Sequence, residues 1–95
     1  MTNDLLRAID LALGDQWDVA HGIVQQYDSD PTAASIHAVL HKIEGDLNNS
    51  RYWYRRAGKM EYADQEPMAE LRTIKTTMAE WEDADDVEAA GPARP

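Results

Sequence analysis

Apolar residues recur along this 95-residue chain at steps of three and four, and no stretch alternates convincingly at steps of two. That period is the signature of one buried stripe on an α-helix, so the pattern predicts an all-α fold without a sheet. Leu5, Leu6, Ile9 and Leu13 form the first stripe, on a helix that starts at Asn3 or Asp4 and is broken by Gly14-Asp15. Trp17, Ala20, Val24 and Tyr27 form the second, over about residues 16–27. Asp28-Ser29-Asp30-Pro31 stops that helix and starts another, since Asp30 suits an N-cap and Pro31 the first helical position. The third helix, about 31–44, carries Ala33, Ile36, Val39, Leu40 and Ile43 on one side and closes at Gly45-Asp46. The fourth, about 47–57, places Leu47, Ser50, Tyr54 and Ala57 on one face and ends at Gly58. After a connection over 59–64, a fifth helix over about 65–81 has Pro67 in its first turn and Met68, Leu71, Ile74, Met78 and Trp81 as its stripe. From Glu82 onward the residues are acidic or small, with almost nothing to bury. Residues 1–81 are therefore expected to form one domain and 82–95 a disordered acidic tail.

The second and fourth segments echo each other. Gly14-Asp15 precedes Trp17-Asp18-Val19-Ala20 much as Gly45-Asp46 precedes Leu47-Asn48-Asn49-Ser50, so that Ala20 corresponds to Ser50 and Val24 to Tyr54. Small, aromatic and small residues at this spacing resemble the second helix of tetratricopeptide or Sel1-like repeats, over about residues 5–58. The resemblance implies two antiparallel hairpins that approach closely at the small positions, with the last helix capping the second hairpin. It also implies protein binding in preference to chemistry. The spacing departs from the family, being 30 residues from Ala20 to Ser50 against about 34. A gap-free alignment from Gly45 would put His37 and His41 at core positions of the repeat. The phase of Ile36, Leu40 and Ile43 favours a one-residue slip, which sets both histidines beside the buried stripe. The run His37-Ala38-Val39-Leu40-His41-Lys42-Ile43-Glu44-Gly45-Asp46, continuing to Tyr52-Trp53-Tyr54, also resembles a family of short uncharacterised bacterial proteins, which implies a compact helical domain and no particular activity.

Composition narrows the function classes. A net charge of −9 argues against general nucleic-acid or anionic-membrane binding. Its distribution is uneven, with a basic middle at Arg51, Arg55, Arg56 and Lys59 between acidic flanks. Arg51 and Arg55 are expected to pair with acidic groups on adjacent helices. The chain has no cysteine, hence no disulfide, thiolate metal site or cysteine nucleophile, which fits a cytoplasmic setting. Neither a signal peptide nor an apolar run near the ~20 residues of a membrane span is visible.

Two groups of residues could carry chemistry. His37 and His41 are one helical turn apart, Glu44 follows by three, and His21 lies on the neighbouring helix. Together His21, His37, His41 and Glu44 could ligate zinc, nickel or iron, on which a small hydrolase could be built. The alternative for the histidines is hydrogen-bonded packing at the core boundary. The second group, Arg51, Arg55, Arg56 and Lys59 with Tyr52, could grip an anionic ligand. Without a phosphate loop, nucleophile elbow or cysteine-histidine pair, the leading expectation is a non-enzymatic interaction module. It would bind a peptide partner, or a second copy, along a surface lined by His37, His41, Arg51, Tyr52 and Arg55. The stripe of the helix over 65–81 offers a route to a homo-oligomer.

Overall fold

Local capping chemistry sets most of the helix boundaries. A computed structural model describes the backbone of residues 1–89 and the side chains of residues 1–81. It contains five α-helices, α1 (Thr2–Leu13), α2 (Trp17–Val24), α3 (Pro31–Glu44), α4 (Leu47–Ala57) and α5 (Pro67–Ala89). Short 3-10 turns at Gln25–Tyr27 and Met60–Tyr62 follow α2 and α4, and the described residues include no strand. The all-α expectation is met.

The α3–α4 corner shows why these boundaries were readable. The Asp30 carboxylate accepts from the Ala33 amide at 2.9 Å, satisfying an N–H that has no intrahelical partner. At the other end of α3, Gly45 adopts φ +89°, which lets its amide reach Lys42 O and the Asp46 amide reach His41 O. Asp46 then caps α4 through the Asn49 amide, and Gly58, at φ +70°, closes α4 in the same way. At the first corner the left-handed residue is Asp15, with φ 66°, and Gly14 stays at negative φ. Aspartate tolerates that region, so the turn did not need the glycine.

Helices α1 with α2 and α3 with α4 form two antiparallel hairpins, with α2 also against α3. The matched small positions Ala20 and Ser50 are both buried, as are Val24 and Tyr54. Leu47, expected on the inner face of α4, is exposed instead. Helix α5 rests on both α1 and α3, where the sequence suggested a cap on the second hairpin alone. Lys75 Nζ donates to Asp10 at 2.6 Å and ties α5 to α1. Of the stripe offered above for self-association, Leu71 and Met78 are fully buried in the bundle, Ile74 is half-buried and Trp81 is exposed. Helix α5 also continues to Ala89, beyond the expected end at Trp81. No Gly or Pro interrupts residues 68–90, and alanine and glutamate favour continuation. Of the expected disordered tail, residues 90–95 lie outside the described residues.

Helix α3 is the centre of the fold. Every side chain from Ala33 to His41 is buried, because α1, α2, α4 and α5 all pack around it. The choice between an apolar phase and a histidine phase was therefore a false one, as both sides of α3 face protein. A polar group inside the bundle joins α3, α4 and α5. Lys42 Nζ donates to Tyr62 O at 3.1 Å, Gln65 O at 2.7 Å and Glu70 Oε1 at 2.9 Å, which uses all three ammonium protons. Tyr54 OH donates to the same Glu70 oxygen at 2.5 Å. Burial, and then the bond to Glu70, hold the Tyr54 phenol well above its ordinary range.

Candidate metal centre

Three imidazoles meet inside the bundle. His37 and His41 lie on successive turns of α3, and α2 brings His21 against them. His37 and His41 are only 4% and 6% exposed, while His21 is half-buried. One ring nitrogen from each of the three lies within 4.8 Å of the others. Nε2 of His21 and Nε2 of His37 share a hydrogen bond at 3.1 Å, one ring donating and the other accepting.

Aromatic walls hold the rings. Trp17 stacks on His21 with centroids 4.6 Å apart, and its indole N–H donates to Leu40 O at 2.6 Å, pinning α2 to α3. Trp53 of α4 stacks on His37 at 3.9 Å, with 14° between the planes. The Arg56 guanidinium lies over the Trp53 ring at 5.0 Å from its centroid, and its Nη1 donates to Tyr52 OH at 3.1 Å. On the remaining side of the cluster, His41 Nδ1–H donates to Glu44 Oε2 at 2.6 Å. A carboxylate only accepts, so that bond places a proton on Nδ1 and leaves Nε2 as the His41 nitrogen available to a metal.

Burial favours the neutral form of His21 and His37. Burial pushes His37 down to about 3, helped by its neighbours His21 and His41. Burial also lowers His21, followed by the influence of His41, against an opposing pull from Glu44. At neutral pH the two rings therefore keep a lone pair each, and protons compete weakly for it. His37 Nδ1 is buried and makes no hydrogen bond among the described residues. A buried imidazole nitrogen left without a partner costs about 1–3 kcal/mol.

His21, His37, His41 and Glu44, the four metal candidates from the sequence, are thus brought together, with Glu44 on the far nitrogen of His41. Asp46 extends this group, since one of its carboxylate oxygens lies within 4.8 Å of donor atoms of His41 and Glu44. The surface proposed for a partner is not assembled. His37 and His41 are interior, whereas Arg51, Tyr52 and Arg55 are exposed on α4. Among the described residues, Arg51 and Arg55 form none of the expected ion pairs. Sequence reasoning missed the two flanking indoles. The i, i+4 spacing from Trp17 to His21 was the available signal, and it was read as apolar packing alone. No helix among the described residues is long and apolar enough to cross a membrane. No protein family, curated protein or solved structure was found to match the chain.

Proposed function

We propose that this protein binds one divalent transition-metal ion, with zinc favoured by the donor set, through His21, His37 and His41. The observation that carries the reading is the 3.1 Å approach of His21 Nε2 and His37 Nε2. Two tetrahedral zinc ligands with bonds of about 2.0–2.1 Å stand about 3.3–3.4 Å apart, so the two nitrogens already sit near ligand spacing. Glu44 plays the part of the carboxylate that orients a ligating imidazole by accepting from its other nitrogen. Three protein donors leave a fourth position for water, the coordination from which hydrolytic chemistry starts. The groove lined by Thr32, Ser35, Ile74 and Trp81 includes none of these residues, so the proposal stops at binding.

The test combines elemental analysis of tag-free protein with zinc titration calorimetry and melting curves with and without chelator. One ion per chain is expected. At free zinc one hundred times Kd, linkage adds about 2.7 kcal/mol of stability. His21→Gln changes a half-buried position and should weaken binding at least about tenfold, and Glu44→Gln about 10–100-fold. Metal-free protein whose melt ignores zinc, or an affinity untouched by His21→Gln, would overturn the reading.

A second reading rests on a separate observation. Arg51, Tyr52 and Arg55 form an exposed basic-aromatic strip on α4, free of ion pairs among the described residues. The strip supports an interaction module of the helical-hairpin type, binding an acidic peptide with an affinity that falls as salt is added.

A further inference from the structure

A groove between the first turns of α3 and the middle of α5 shares no residue with the imidazole cluster. Its volume is about 180 Å³. Drug-sized ligands occupy roughly 300–1,000 Å³, so this groove takes a single ring or a short branched chain. Thr32 and Ser35 line it from α3, and Ile74, Thr77 and Trp81 from α5. Lys59, exposed in the connection after α4, lines it as well.

Two features define what chemistry fits. Ser35 is 9% exposed, yet its hydroxyl makes no hydrogen bond among the described residues. Helical Thr73 and Thr76, by contrast, both return their hydroxyls to the carbonyl four residues back. The Ser35 hydroxyl thus opens onto the groove with its proton free for a ligand acceptor. The second feature is charge. Lys59 is the one cation lining the groove and forms no ion pair among the described residues. The one carboxylate at the groove, Glu70, is already engaged by Lys42 Nζ and Tyr54 OH. Among the described residues, the charge left over at the groove is therefore positive, above an apolar floor.

We propose that this groove binds a small monocarboxylate with an apolar body. Lys59 attracts the carboxylate, the hydroxyls of Ser35 and Thr32 donate to it, and Ile74 and Trp81 receive the ring or branched chain. A cationic ligand would meet Lys59 without gaining a free carboxylate. A neutral one would forgo the ammonium.

The test titrates 15N-labelled full-length protein with sodium benzoate and with 4-methylvalerate at constant ionic strength. Benzyl alcohol and benzylammonium serve as the neutral and cationic counterparts. Saturable shifts are expected for the carboxylates at the Thr32, Ser35 and Thr77 amides and the Trp81 indole N–H. Lys59→Gln should raise Kd by about fivefold or more, and Ser35→Ala by about threefold, as befits one charged and one neutral contact. Both substitutions are small and leave the helices intact, and the unshifted remainder of each spectrum verifies it. The proposal falls if neither carboxylate gives saturable shifts, if the shifts map elsewhere, if benzyl alcohol binds as tightly as benzoate, or if Lys59→Gln leaves Kd unchanged.

Discussion

Acidifying the metal-free protein from pH 7.5 to 5.5 should destabilise it through His37. The folded ring is held down to about 3, against an ordinary 6.5. The unfolded chain therefore takes up a proton at His37 as pH drops through 6.5, while the folded chain does not until close to 3. Stability that is fully present above 6.5 is lost on the way down, at up to about 1.4 kcal/mol per pH unit. One unit below 6.5 the loss from His37 is about 1.4 kcal/mol. Stopping at pH 5.5 keeps carboxylates, which titrate near 4, largely out of the comparison. His21 is shifted in the same direction and adds to the effect. The assay is urea unfolding followed by far-ultraviolet circular dichroism, with chelator present, for wild type and His37→Gln at both pH values. With a denaturant slope of about 1–1.5 kcal/mol/M, the wild-type midpoint should fall by about 1 M more than that of the variant. Equal shifts in the two proteins would refute the reasoning. So would an NMR titration in which the folded His37 ring takes its proton near pH 6.5.

Three further outcomes follow from the packing. Ser50, 2% exposed where α3 and α4 meet, leaves no space for an indole, so Ser50→Trp should cost about 3 kcal/mol or more and break the hairpin contact, as read by thermal melting. Tyr54→Phe removes the hydroxyl that donates to Glu70 and should cost about 1.5–3 kcal/mol, lowering the melting temperature by roughly 10 °C or more. Lys42→Met strands the Glu70 carboxylate in the interior and should cost about 3–5 kcal/mol, whereas the Lys42→Met/Glu70→Leu double variant, having no buried charge, should be the more stable of the two by chemical denaturation.

What was legible in the sequence was what adjacent residues decide. Asp30-Pro31, Asp46 and the two left-handed glycines bracket α3 and α4, because caps act within one turn of the chain. The stripe of α5 was visible for the same reason. Which neighbour each stripe would meet was not. One helix projected from sequence has a wet side by default, so α3 was given a solvent face that α2 and α4 in fact cover. That single error put His37 and His41 on a surface with Arg51 and Tyr52, when they belong to an interior group with His21. The Lys42–Glu70–Tyr54 group was missed because its members are 28 and 16 residues apart, and nothing local marks a lysine destined for burial. The adjacency of His37 and His41 was legible all the same, since i, i+4 spacing on α3 holds whichever side is buried.

The two indoles flanking the imidazoles make the interior of this protein optically addressable. Trp17 and Trp53 each stack on a histidine of the cluster, while Trp81 stands apart and exposed on α5. An imidazolium quenches an indole excited state by electron transfer far better than neutral imidazole does. A paramagnetic copper ion quenches it as well, and closed-shell zinc does not. The emission of two of the three tryptophans is therefore tied to the charge of the rings beneath them, and the third serves as an internal reference. Titrating light output against acid, zinc and copper would separate a protonated, a zinc-loaded and a copper-loaded centre in one cuvette, without a label.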